Sequence, residues 1–345
     1  MGQIQTAYKK KIKSKKRPKF DSKEEYFIKN GGILLEKQIA LSQGQHKGAG
    51  QLKIFSREDM EKATNNYDPA LIVGSSSYGT IYKAILEDRI VAVKVPPLVD
   101  PNSKLVDLYL TEVSTLMVMN NDNMVKLYGC CLETFIPMLV YGYMSNGGLF
   151  QLLHGDVPSS LRIKWADRLR VATDAAYALS YMHNALLKPV VHRNVTSVNI
   201  VLDHSLHGKL SNFFYSVSIT PRETQKWPVE GTPGYIDPEY IETQKVTDKC
   251  DVYSFGVLML ELLTRKQPSV MSRDGAHLVD EFVSAVGNNC MIDMIDNNIL
   301  DRASRDEIQR TVQLALTCVA KTGAERPSMI DIVGELWSIQ GRNSK

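Results

Sequence analysis

The chain has 345 residues, of which 43% are hydrophobic and 23% charged, with 22 glycines, 14 prolines and a formal net charge of +3. That composition excludes fibrous and wholly disordered classes, and so small a charge, crowded into the first twenty residues, implies no nucleic-acid partner. Cys130, Cys131, Cys250, Cys290 and Cys318 are odd in number and lack metal-ligand spacing, and no run of about 18 apolar residues or signal-peptide core occurs, so a reducing, intracellular, cytoplasmic setting is expected.

Residues 1–20, MGQIQTAYKKKIKSKKRPKF, place Gly2 for exposure after methionine removal and Thr6 where an N-myristoylation motif wants it, with eight lysines or arginines from Lys9 to Lys19. An acyl chain beside a polybasic stretch supplies the two signals that anchoring to an anionic membrane requires. Lipidation of Gly2 and residence at the inner face of the plasma membrane are therefore expected, the plainer alternative being a solvated basic tail. Residues 1–29 read as that disordered tail, and residues 30–66 as a helical extension and linker. Within the extension, NGGILLEKQIA (Asn30 to Ala40) spaces Ile33, Leu34 and Ile39 for a short amphipathic helix after two glycines, and Ser56 with Asp59 in FSREDMEKATNNYD forms a capping box.

From Leu71 the pattern is strand, glycine turn, strand: LIVGSSSYGTIYKAI, then the bounded apolar run RIVAVKV. Gly74, Ser76, Gly79 and Ile81 follow the frame G-x-G-x-x-G-x-V with serine for its second glycine, and Ala92 and Lys94 fall in V-A-V-K. This combination resembles the protein kinases, where the hairpin covers a nucleotide's phosphates and the strand lysine holds them. Glu112, in the helical TEVSTLMVM, is then expected to pair with Lys94. In MLVYGYMSNGG, Tyr141 reads as the gatekeeper and Gly142 to Met144 as a hinge, with Met144 offering backbone groups to an adenine. The implied fold is α+β and bilobal, with a β-rich small lobe over residues 67–141 and a hinge and helical large lobe over 142–340.

The segment VVHRNVTSVNIVLD keeps the frame H-R-D-x-x-x-x-N in His192, Arg193 and Asn199 but changes its chemistry. Asn194 stands where an aspartate would accept the substrate proton, and a neutral amide has no useful basicity near neutral pH. Thr196 replaces a lysine that would neutralise charge on the transferred phosphate. In place of D-F-G the chain has Asn212, Phe213 and Phe214, which removes the metal-holding carboxylate and puts a bulky side chain at a glycine position. Asn199 and Asn212 remain as weak metal candidates only, so no confident metal is expected. Weak or metal-independent ATP binding through Gly74, Gly79, Ala92, Lys94, Glu112, Met144 and Asn199 is expected, with no catalytic residue among the degenerate positions Asn194, Thr196, Asn212 and Phe214.

The fold's fastenings are kept. The resemblance implies a buried ion pair between Glu239 and Arg326, backbone hydrogen bonds from the His192 segment to Asp251, and a hydrophobic column through Leu116, His192 and Phe213.

Together NGGILLEKQ, FSREDMEKATNNYD, GTPGYIDPEY and CDVYSFGVLMLELLTRKQP resemble the plant wall-associated-kinase-like lineage over about residues 30–337. With no ectodomain or membrane span expected, and with Asn194 and Asn212 in place, the chain resembles more closely the receptor-like cytoplasmic kinases of the group that includes immune adaptor pseudokinases. That resemblance implies an adaptor joining an intracellular NLR receptor to effector-modified receptor-like cytoplasmic kinases. It also implies a partner-engaging activation segment from Asn212 to Glu239, where Arg222, Lys226 and Trp227 are basic or aromatic. The rival readings are a weakly active Ser/Thr kinase with atypical metal handling and an inert domain on a membrane tether.

Overall fold

The computed structural model describes residues 22–42, 52–97, 103–156, 163–220, 226–300 and 303–341. Gly2, the basic run of residues 9–19 and Arg222 lie outside them. Two lobes are built around different secondary structure, as the α+β reading expects. In the small lobe, β1 (Lys53–Ile54), β2 (Ile72–Ser76), β3 (Gly79–Leu86), β4 (Arg89–Val95), β5 (Leu127–Cys131) and β6 (Met138–Gly142) form one sheet of order β1-β5-β6-β4-β3-β2. All neighbours are antiparallel except β1 and β5. The β3–β4 register sets Ile81 opposite Lys94, and β4–β6 sets Ala92 opposite Tyr141, so hairpin, lysine and hinge share one sheet.

Three helices flank this sheet: α1 (Ser22–Ser42), α2 (Arg57–Ala63) and α3 (Ser103–Val118). The capping box expected at α2 is formed, Ser56 Oγ accepting from the Asp59 backbone and the Asp59 carboxylate from the Ser56 backbone. The helix expected at Asn30 begins instead at Ser22 and runs through Gly31 and Gly32, so residues 22–29 are not part of a structureless tail. Packing against the lobe overrides the glycines' low propensity. Asn30 is buried, and its Nδ2 donates to the Leu132 carbonyl at 3.1 Å and the Thr134 carbonyl at 2.9 Å. Leu34 joins the core, Lys37 pairs with Asp107 of α3 at 2.8 Å, and Tyr26 meets Phe135 edge-on. The small lobe also starts earlier than residue 67, because β1 adds to the sheet and Phe55 and Met60 pack under it.

The large lobe comprises α4 (Leu149–His154), α5 (Trp165–Asn184), β7 (Val190–Val191), β8 (Ile200–Leu202), β9 (Gly208–Leu210), β10 (Val217–Ser218), α6 (Pro238–Thr243), α7 (Asp248–Thr264), α8 (Pro268–Arg273), α9 (Leu278–Gly287), α10 (Asn297–Leu300), α11 (Arg305–Cys318) and α12 (Met329–Ile339). Helix α7 is buried from Cys250 to Thr264, as a helix apolar on every side must be. Helices α5, α9 and α11 pack around it, and the short pairs β7–β10 and β8–β9 carry the loops that face the small lobe. No helix among the described residues is long and apolar enough to cross a membrane.

Candidate functional site

The cleft between the lobes collects most of the residues singled out in the sequence. Strand β4 delivers Lys94 and α3 delivers Glu112, with Lys94 Nζ 3.3 Å from Glu112 Oε2 and both groups buried. The expected ion pair is present. Glu112 Oε1 also accepts from the Phe213 backbone N–H at 3.2 Å, which ties α3 to the start of the activation segment. Burial pushes the Lys94 ammonium below its usual range and the neighbouring carboxylate opposes that shift. Gly79 has φ +139°, and an added Cβ would meet the Tyr109 hydroxyl at 2.7 Å, so that position requires glycine. Gly74 does not, since among the described residues its Cβ would meet Ile81 Cδ1 alone, at 3.9 Å. At the hinge, Met144 is half-buried and its carbonyl accepts from Gly147 at 3.3 Å.

The catalytic-loop positions are held by one buried carboxylate. Asp251 accepts from the backbone N–H groups of His192 and Arg193, each at 2.8 Å, and contacts His183 Nε2 at 2.9 Å. This is the arrangement expected from the sequence, and the His192 ring meets Phe213 edge-on at 5.1 Å. Asn194 N–H donates to His192 Nδ1 at 3.2 Å, so that nitrogen carries no proton, and burial lowers the imidazole's pKa from 6.5. The Asn194 side-chain oxygen accepts from Thr232 Oγ1 at 2.7 Å, so a neutral amide, which has no useful basicity near neutral pH, occupies this position. Thr196 Oγ1 is buried with no partner among the described residues, and its short side chain carries no charge toward a phosphate.

The two metal candidates are bonded to each other. Asn212 Nδ2 donates to Asn199 Oδ1 at 2.9 Å, while Asn199 Nδ2 donates to the Asn194 carbonyl at 2.8 Å. Asn212 Oδ1 is buried without a partner among the described residues. One free amide oxygen and no carboxylate is a donor set that does not fit magnesium, a hard cation that binds through carboxylates and phosphates. No group of three His, Cys, Asp or Glu suited to a metal occurs among the described residues. Asn212 takes the left-handed conformation, φ +64°, which asparagine tolerates, whereas Phe214 keeps an ordinary backbone.

What the sequence did not disclose is where the Phe214 ring goes. It is buried, and Lys94 Nζ sits 3.6 Å from its centroid. Tyr109 of α3 packs on it at 4.9 Å and Tyr78 of the β2–β3 turn edge-on at 5.7 Å. The Tyr78 and Tyr215 hydroxyls are hydrogen-bonded at 2.5 Å, and the Tyr109 hydroxyl donates to the Tyr78 carbonyl at 2.5 Å. No local pattern marks Tyr78, Tyr109 and Tyr215 as a set, since they lie on three separate elements. Behind Phe214 a cavity of about 510 Å³ opens between α3 and the activation segment, lined in part by Leu108, Arg193, Phe214, Tyr215, Ser218 and Glu230.

Of the residues expected to meet a partner, Lys226 is exposed but Trp227 is half-buried. The Trp227 ring lies 5.6 Å from the Arg193 guanidinium carbon and packs beside Val191 and Tyr240, so part of its role is to brace the segment. The fastening at the far end differs from expectation. Arg326 pairs with Asp237 through two bonds of 2.6 and 2.8 Å, whereas Glu239 Oε2 lies 4.0 Å away and 46% of that side chain is exposed. Asp237 precedes Pro238 and caps α6, which aims its carboxylate inward at the guanidinium, while Glu239, in the first turn, accepts instead from the Gly323 backbone.

Comparison with known proteins agrees with this architecture. Residues 70–336 match the family of protein tyrosine and serine/threonine kinases. The chain is 40% identical over 324 residues to wall-associated receptor kinase-like 4 of Arabidopsis thaliana, covering 93% of this chain and 42% of that protein. It is 39% identical over 331 residues to wall-associated receptor kinase 3, covering 94% and 43%. To putative wall-associated receptor kinase-like 16 it is 37% identical over 348 residues, covering 98% and 78%. The chain thus spans under half the length of the first two of these relatives. On the matched kinase domain and the likeness along nearly its whole length, the chain belongs to the protein kinase family and is similar to the wall-associated receptor kinase-like proteins of Arabidopsis thaliana.

Proposed function

We propose that this chain is a catalytically inactive kinase-fold adaptor that works by binding rather than by phosphoryl transfer. The observation that carries the reading is the pairing of Asn199 with Asn212: the two metal positions are neutral amides spent largely on each other. The Asn194 amide engaged by Thr232 and the uncharged Thr196 add to it. Each such loss costs on the order of 10² or more in rate, and losses within one catalytic unit do not multiply. By contrast, the binding surfaces of the fold are well supported from within, through Asp251, Arg326 and the docked α1.

The adaptor role rests on the resemblance to immune pseudokinases, with an NLR receptor and an effector-modified receptor-like cytoplasmic kinase as partners and Gly2 with its basic run as a membrane attachment. An exposed apolar strip on α1, formed by Ile28, Leu35 and Ile39, gives such a partner a surface to cover. One observation favours the rival reading of a weakly active kinase, namely Asn212 Oδ1, without a partner among the described residues, which offers a cation a single oxygen. Transfer of radiolabel from ATP by the purified chain, across magnesium and manganese concentrations, decides between them. Incorporation equal to that of a Lys94→Ala control is expected, and incorporation above it would overturn the inactive reading. Membrane recovery of a Gly2→Ala variant should fall, and unchanged recovery would count against acylation.

A further inference from the structure

We infer that the Phe214 ring decides what the cleft admits: it occupies the face of Lys94 that a nucleotide's phosphates would take, and a tyrosine latch holds it there. Three observations converge. First, the ammonium is enclosed, with Glu112 at 3.3 Å, the Phe214 centroid at 3.6 Å and the Tyr109 centroid at 5.3 Å. A phosphate oxygen needs hydrogen-bond distance to Nζ, and the aromatic face already fills that approach. Second, the Tyr78–Tyr215 bond of 2.5 Å ties the phosphate-covering turn to the residue next to Phe214, and Tyr109 holds the same turn from α3 at 2.5 Å. The turn is thereby pinned onto the aromatic cluster instead of arching over a ligand. Third, Phe214 and Tyr215 also line the cavity of about 510 Å³ between α3 and the activation segment, so there is open space beside the ring for it to move into.

The arrangement is therefore reversible. With the ring on Lys94 the phosphate end is shut, and a triphosphate gains that end only when Phe214 moves toward the cavity and the tyrosine bond breaks. Phosphate binding and the shape of the activation segment become mutually exclusive, because the same two residues serve both. The closed state lowers apparent affinity by the fraction of molecules that are open, and only for ligands that carry phosphates. This holds whether or not the protein retains any phosphoryl transfer, so the radiolabel assay and the titration below fail independently.

The test is calorimetric titration of the full chain in EDTA with ATP and, separately, with adenosine, which has no phosphates. Phe214→Ala is expected to bind ATP about tenfold tighter or more than wild type, with adenosine affinity changed by less than about twofold. Tyr215→Phe keeps every ring and removes only the latch, and should tighten ATP by about threefold. Adding Lys94→Ala to Phe214→Ala should return ATP to the wild-type value. Equal ATP affinity in wild type and Phe214→Ala overturns the inference, as does a parallel gain for adenosine, which would mean a loosened cleft. If Phe214→Ala does not fold, Tyr215→Phe decides alone, and an unchanged ratio of ATP to adenosine affinity overturns it.

Discussion

Replacing Asp237 by asparagine separates the two carboxylates near Arg326 and assigns the fastening of the large lobe. The Arg326 side chain is fully buried and makes five hydrogen bonds: two to Asp237, at 2.6 and 2.8 Å, and three to the carbonyls of Ala320, Lys249 and Lys321. The carbonyls satisfy its protons, but among the described residues only Asp237 neutralises its charge at contact distance. Asparagine is as good an N-cap as aspartate, so α6 keeps its cap and the change isolates the charge. Leaving a buried guanidinium uncompensated costs about 3–5 kcal/mol. Glu239→Gln keeps an oxygen for the Gly323 N–H and removes a charge that is 46% exposed and 4.0 Å from the guanidinium, a loss of about 1 kcal/mol or less. Urea denaturation followed by circular dichroism should therefore show a clear drop in midpoint for Asp237→Asn and little change for Glu239→Gln. Equal losses for the two variants would refute the assignment of Asp237 as the partner.

Three further outcomes follow from the same geometry. Asn30→Ala strands the Leu132 and Thr134 carbonyls and should cost about 1–3 kcal/mol in a denaturation midpoint, an unaffected midpoint meaning that α1 is not docked as described. Gly31→Ala and Gly32→Ala should each stabilise by about 0.5–1 kcal/mol, because an added methyl meets nothing within 4 Å and helical backbone entropy is saved; a loss of thermal stability would show that α1 does not pass through these residues as a regular helix. His192 is held neutral, its pKa lowered from 6.5 chiefly by burial, so the unfolded chain takes up the proton first and stability falls as pH drops below 6.5. A His192→Gln variant should lose less stability between pH 6.5 and 5 than wild type, and parallel curves would sink that account.

The amino-acid sequence by itself determined the kinase fold, the Lys94–Glu112 pair, the Asp251 bonds to the His192 segment and the neutral amides of Asn194 and Asn212. These were legible because each depends on residue type at fixed spacing: a neutral amide has no charge to offer wherever its side chain points. The tertiary structure decided what depends on meetings between distant elements. Helix α1 runs through two glycines because Asn30 and Leu34 are bound and buried by the small lobe, a gain larger than the propensity cost and invisible in a local window. Arg326 chooses Asp237 over Glu239 because capping α6 turns one carboxylate inward and leaves the other near solvent. Above all, the sequence marked Phe214 as a bulky residue in a glycine's place, but its ring comes to rest on Lys94 only because tyrosines from the turn, α3 and the activation segment converge there, and such packing is fixed by three-dimensional fit.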